Sequence, residues 1–136
     1  TVLTLWKIST GFKVSLSHLI SSSNAESTIV NVDDIEPIQQ SEDGMFLYNI
    51  FPFDPVSGFD YYKIVIEPDG RHESIPHPNV EKEYIVVLEG TLEMTVNDSV
   101  FNIKKGQAFS FNGNASHCYA NPYEQPVVFH NILRYK

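Results

Sequence analysis

The chain has 136 residues, of which 42% are hydrophobic, 12% aromatic and only 19% charged, a composition that excludes disorder and long solvated helices and suffices for one sizeable core. Nine Lys and Arg against 17 Asp and Glu give a net charge of −8, a sign that, taken whole, opposes binding to nucleic-acid phosphates or anionic lipid. One cysteine, Cys118, excludes an intrachain disulfide framework and fits a cytoplasmic location, and no apolar run approaches the roughly 20 residues of a membrane span.

The charge is unevenly placed. Residues 1–20 hold Lys7 and Lys13 and no acid, whereas the other seven cations and all 17 acids follow, so residues 21–136 carry −10. Such a split points to two modules with different partners. Within the first module Leu5, Ile8 and Phe12 fall at i, i+3 and i+7, the stripe of an amphipathic helix that ends near Lys13. Ser15 or Ser17 would cap a second short helix carrying Leu16, Leu19 and Ile20. Two helices of this size cannot bury themselves, and the chain opens at Thr1 directly into this pattern, so it is expected to be part of a longer protein. The small polar run Ser21 to Thr28 reads as an interdomain linker.

From residue 29 the period changes to two. Apolar or alternating runs at about 45–51, 59–67, 83–89, 91–96, 99–103, 107–111, 116–120 and 127–133 are separated by turn residues such as Asp69-Gly70, Glu89-Gly90 and Asn97-Asp98. Eight or more short strands without a sustained helical stripe predict a mainly β domain, an antiparallel sandwich or barrel.

Two patterned segments carry the chemistry. Between Gly70 and Gly90, His77, Glu83 and Gly90 follow the spacing of the first motif of the cupin family, G-x5-H-x-H-x3,4-E-x6-G, with Asn79 at the second histidine and Gly70 one residue too far upstream. Gly106, His117 and Asn121 follow the second, G-x5-P-x-G-x2-H-x3-N, with Asn112 and Asn114 replacing the Pro and inner Gly as alternative turn formers. The chain therefore resembles a cupin. This resemblance implies a double-stranded β-helix, the cupin jelly-roll barrel, over residues 29–136.

In metal-bearing cupins the matching positions ligate one divalent ion, so the resemblance implies His77, Glu83 and His117 as a triad for Fe, Mn, Ni or Zn, with Asn79 as a weak oxygen donor. Two imidazoles and a carboxylate suit such ions. Alternatively, these groups hydrogen-bond a small polar ligand or one another. Residues two apart on a strand share a face, which would turn 77 and 79 inward together and give Tyr119 and Asn121 the parity of His117. The expected ligand-binding set is His77, Asn79, Glu83, His117 and Tyr119, and no catalytic residue is assigned. His72 and His130 match no motif position and read as ordinary surface or strand residues. Cys118 should face away from His117, and Phe109 and Phe111 should join the core.

Residues 3–20 are similar to the last two helices of a Cro/repressor-like (XRE-type) helix-turn-helix domain, in which Leu5, Ile8, Phe12, Val14, Leu19 and Ile20 follow the pattern, while Ser9, Gly11 and Lys13 depart from it. A helix-turn-helix joined by a polar linker to an acidic cupin implies a homodimeric transcriptional regulator. In it the cupin senses a small-molecule effector and DNA is bound through the complete helix-turn-helix, not through the barrel. The alternative is a metal-dependent cupin enzyme of the Fe(II) oxidoreductase, epoxidase or isomerase type.

Overall fold

Extended backbone sends successive side chains to opposite faces, and the computed structural model, which describes residues 27–38 and 43–136, is built almost wholly from such segments. Nine strands follow one another: β1 (Met45–Phe51), β2 (Phe59–Ile66), β3 (Arg71–Ser74), β4 (Val80–Glu89), β5 (Thr91–Val96), β6 (Ser99–Lys104), β7 (Ala108–Asn112), β8 (His117–Ala120) and β9 (Val127–Tyr135). Eight of these coincide with the predicted runs; β3 was not among them. The two helices expected in residues 1–20, and residues 21–26 of the expected linker, lie outside the described residues. Among the described residues the single helical element is a 3-10 turn at Val32–Asp34, and no helix is long and apolar enough to cross a membrane.

The strands form two antiparallel sheets, a five-stranded one in the order β1-β2-β9-β4-β7 and a four-stranded one in the order β3-β8-β5-β6. From β4 onward the chain steps back and forth between the sheets, the jelly-roll path of a cupin. The sheets do not close into the expected barrel. Strands β6 and β7 follow one another yet remain edges of different sheets, and the rings of Phe101 and Phe109, 4.9 Å apart, fill the seam where closure would need backbone hydrogen bonds. The architecture is a two-sheet sandwich.

Its core lies between the sheets. On β2, β4 and β9 the inward positions include Ile64, Ile66, Ile85, Val87, Phe129 and Leu133, which meet Leu92, Met94 and Ile103 from β5 and β6. Burying each such side chain contributes about 1.5–3 kcal/mol. Asn97 and Asp98, at φ 47° and 71°, form the two-residue β5–β6 turn that registers Val96 against Ser99, as a type I′ hairpin requires. The second motif turns differently from the expectation: neither Asn112 nor Asn114 takes a positive φ, and the turn is closed by Ala115 N–H donating to Asn112 O.

Residues 75–79 form no strand. Pro76 and Pro78 lack the N–H that a ladder needs, so the chain turns there and enters β4 only at Val80. The period-two argument that turned His77 and Asn79 inward together therefore does not apply.

Candidate functional site

Four side chains from three strands converge between the sheets. Glu83 occupies an inward position of β4, followed by Ile85 and Val87 on the same face, and its carboxyl is fully buried. His117 and Tyr119 point inward from β8, and Asn131 from β9 between Phe129 and Leu133. Packing fixes the rings: His117 lies 4.8 Å from Phe111 and 5.3 Å, edge to face, from Tyr119, which stacks on Phe129 at 6.1 Å.

The two oxygens of Glu83 are treated differently. Oε1 accepts from the Tyr119 hydroxyl at 2.5 Å and from Asn131 Nδ2 at 3.1 Å. Burial, and then Glu83 beside it, hold the Tyr119 hydroxyl well above the usual phenol range, so it stays protonated and donates. Oε2 faces His117 Nε2 at 3.3 Å, within ion-pair range but off hydrogen-bond geometry, and neither atom has a hydrogen-bond partner. His117 Nδ1 lies 2.7 Å from Ala115 O; a carbonyl only accepts, so Nδ1 carries the proton and Nε2 is the nitrogen turned toward the carboxyl. Leaving such buried atoms without hydrogen bonds is costly, and the pair is suited to receive a ligand's donor group.

Of the other expected residues, His77 is half-buried in the β3–β4 loop, with its N–H donating to Gly113 O at 3.3 Å and its carbonyl accepting from Val80 N–H. Asn79 is exposed in the turn. The metal triad is not assembled: among the described residues no group of three or more His, Cys, Asp and Glu side chains is arranged to hold a metal ion. The physical reasons are the proline-bounded turn that carries 77–79 and the commitment of Glu83 Oε1 to Tyr119 and Asn131. The residues present do not fit a three-ligand centre.

Asn121 does not line the site. Its Nδ2 donates to Ile66 O and Gln125 O, and its Oδ1 accepts from Tyr123 N–H, which locks the β8–β9 connection. Cys118 pairs with Glu73 and Thr95 on the outward face of the four-stranded sheet, opposite His117, and burial pushes its thiol up. Phe111 is buried in the core, and Phe109 packs against it partly buried.

Two site residues were missed from sequence. His72 is a strand residue but not a surface one: it points inward from β3, buried, with Nδ1 donating to Asp43 Oδ2 at 3.0 Å and its ring stacked 6.5 Å from Tyr119. Asn131 was signalled by a polar side chain at an inward position of an otherwise apolar alternation. A cleft of about 320 Å³ opens on the outward side of the four-stranded sheet, lined by Arg71, Glu73, Thr95 and Cys118 together with Ser74, Asn97, Asp98, Ser116 and His117; the side chains of His117 and Glu83 are themselves fully buried, and the buried Ser74 Oγ has no hydrogen-bond partner. A larger open cleft, about 620 Å³ at the β6–β7 seam, is lined by Phe101, Ile103 and Phe109 and does not reach this pair.

Residues 62–133 match the model of the cupin domain. Over 135 residues the chain is 33% identical to the HTH-type transcriptional regulator SutR of Escherichia coli (strain K12), spanning 99% of this chain and 72% of that protein. Among solved structures it is similar to the cupin domain of an XRE family transcriptional regulator from Enterobacter cloacae, with TM-score 0.66 and 32% identity over 68% of this chain and 98% of that one. It is also similar to an HTH_3 family transcriptional regulator from Vibrio cholerae, with TM-score 0.73 and 26% identity over 100% of this chain and 72% of that one. Likeness to the polyketide cyclase RemF of Streptomyces resistomycificus, TM-score 0.65 at 18% identity over 79% of this chain and 78% of that one, shows the fold alone. The chain belongs to the cupin-domain family, among the XRE-type helix-turn-helix transcriptional regulators.

Proposed function

We propose that the cupin domain is the effector-sensing module of a transcriptional regulator, in which a small molecule held at Glu83 and His117 controls DNA binding by an attached helix-turn-helix. The observation that carries this reading is the buried pair Glu83 Oε2 and His117 Nε2, 3.3 Å apart and each without a hydrogen bond. Two ligand donors, such as the N–H groups of an amine or a pair of hydroxyls, would satisfy both acceptors, with Tyr119 fixing Glu83 and with His77 and Asn79 on the β3–β4 loop. Coupling requires that the effector prefer one state of the regulator, and a contact route exists from Tyr119 through His72 to Asp43, which precedes β1.

The reading as a metal-dependent enzyme needs a third ligand beside Glu83 and His117, and the described residues do not bring one there. Support for the regulator reading comes from the family of the chain and from a site that has partners for one carboxyl oxygen and none for the other.

The test uses the full-length protein. A panel of small polyols, amines and amino sugars is screened by thermal shift, and hits are repeated with Glu83→Gln and His117→Gln. A ligand at about 100 times its Kd adds about 2.7 kcal/mol, which should raise the melting temperature of the wild type and leave the variants unmoved. The same compound should change DNA affinity in a gel shift at low salt. A wild type that no compound stabilises, or one without DNA affinity at low salt in both the absence and presence of the hit, overturns the reading.

A further inference from the structure

A buried polar site is satisfied when its donors and acceptors balance, and a surplus of one kind dictates what a ligand must bring. Around Glu83 the surplus consists of acceptors. Glu83 Oε2, His117 Nε2 and Asn131 Oδ1 are buried, and none of the three has a hydrogen bond. The bonds made by the other end of each side chain fix these roles. Glu83 Oε1 accepts from the Tyr119 hydroxyl and from Asn131 Nδ2, so the Asn131 amide turns its nitrogen to the carboxyl and keeps its oxygen over. His117 carries its proton on Nδ1, against Ala115 O, which leaves Nε2 a lone pair.

We propose that the effector is held at this site by a primary ammonium group, whose three N–H donors match the three remaining acceptors. The proposal rests on the effector reading above and sharpens it, because it selects a cation over the hydroxyls which that reading also admits. An alkylammonium has three donors and no acceptor, whereas a hydroxyl brings one donor and lone pairs that would confront Oε2 and Nε2. Those two atoms are 3.3 Å apart, close enough for one nitrogen at about 2.8 Å to reach both. A charged donor on a carboxylate also makes a bond about twice as strong as a neutral one.

The charges between the sheets select the same class. Asp60, at an inward position of β2, is a second fully buried carboxyl. Leu133 of β9 pairs with Asp60 on one side and with Glu83 on the other, which sets the two acids about 10 Å apart at two strand spacings. Asp60 Oδ2 accepts from the Tyr135 and Tyr62 hydroxyls at 2.8 and 3.4 Å, both neutral donors. Among the described residues no Lys or Arg is buried, so neither acid has a lysine or arginine beside it in the interior. Carboxyls buried in this way are costly, and in a low-dielectric interior a ligand cation is attracted where an oxyanion of equal size is repelled. Tyr135 reports the same field. Burial, then Asp60 and more weakly Glu83, hold its hydroxyl well above the usual phenol range.

The experiment titrates the full-length protein with n-butylamine, tetramethylammonium, n-butanol and butyrate by calorimetry at pH 7, where an alkylamine is protonated. Wild type, Glu83→Gln and Asn131→Leu are compared, with circular dichroism to establish folding, and His117 Nε2 is followed in the wild type by nitrogen NMR. Butylamine should bind the wild type at least about tenfold more tightly than the other three probes. It should also move the Nε2 resonance and lose at least about tenfold in affinity in each variant. Tetramethylammonium carries the charge without N–H groups, so equal binding of that ion would assign the site to charge alone and overturn the proposal. Butanol or butyrate binding as tightly as butylamine, with sensitivity to Glu83→Gln, overturns the ammonium assignment while leaving the effector reading in place. A wild type that butylamine does not bind, or from which stoichiometric Zn(II) displaces it, overturns the proposal as well. If a variant does not fold, the wild-type probe series and the Nε2 shift decide between these outcomes.

Discussion

His130 is subject to two influences that disfavour its charged form: burial on the outward side of β9, and then the ammonium of Lys63 opposite it on β2. Together they lower its folded pKa from 6.5. In the unfolded chain the ring takes a proton at its ordinary value, so below about pH 6.5 the unfolded state binds more protons and stability falls with pH until the folded ring titrates as well. The ring proton of His130, followed by NMR, should titrate with a midpoint below 6.5, and Lys63→Met should raise that midpoint and flatten the loss of stability between about pH 7 and pH 5. A wild-type midpoint at or above 6.5 would contradict the assignment. At this scale the sequence made Glu83, His117 and Tyr119 legible, because motif spacing and strand parity act together there. Asn131 and His72 stayed hidden for a physical reason: each completes the site through a contact with a residue distant in sequence, Glu83 for one and Asp43 for the other, and neither local period nor motif encodes such contacts.

Among the elements, the turns carry more information than the strands they join. Gly90 links β4 to β5 at φ +76°, and a Cβ there would sit 2.5 Å from Pro126 O and 3.0 Å from Val127 Cα, so both conformation and space call for glycine. Gly106, between β6 and β7, has φ +82° but open space around it. Gly90→Ala should therefore cost more than about 2 kcal/mol, the conformational penalty plus displacement of the strand leading into β9, while Gly106→Ala should cost about 1 kcal/mol. Urea unfolding of both variants checks the ordering; equal costs would mean that the Pro126 segment yields freely. The same scale explains what strand reading achieved. Long alternating runs such as Phe59–Ile66 and Val127–Tyr135 announce themselves through period two. The four residues of β3 are too few to show a period, and residues 77–79 mimic a strand in spacing while two prolines forbid its ladder.

For the whole molecule, the question is what makes two open sheets behave as one body. Apolar packing supplies most of the attraction, but the directional tie between the sheets is polar: Tyr119 of the four-stranded sheet donates to Glu83 of the five-stranded one, and Asn131 supports the same oxygen. Tyr119→Phe keeps the ring that stacks on Phe129 and removes only the hydroxyl, so it tests the tie without opening a large cavity. Because the deprived oxygen is buried where water does not replace the donor, the loss should be about 1–2 kcal/mol. Tyr123→Phe removes the same atom from an exposed hydrogen bond to Asn102, where water substitutes, and should stay within about 0.5 kcal/mol. If the tie joins the sheets, the Tyr119→Phe urea midpoint should fall with an unchanged m-value and with near- and far-UV signals still coincident, since one cooperative unit has been weakened. Separation of the two signals would instead mean that the sheets unfold independently and that Glu83 is held by its own sheet alone, in which case a ligand at Glu83 and His117 would act on one sheet without moving the other.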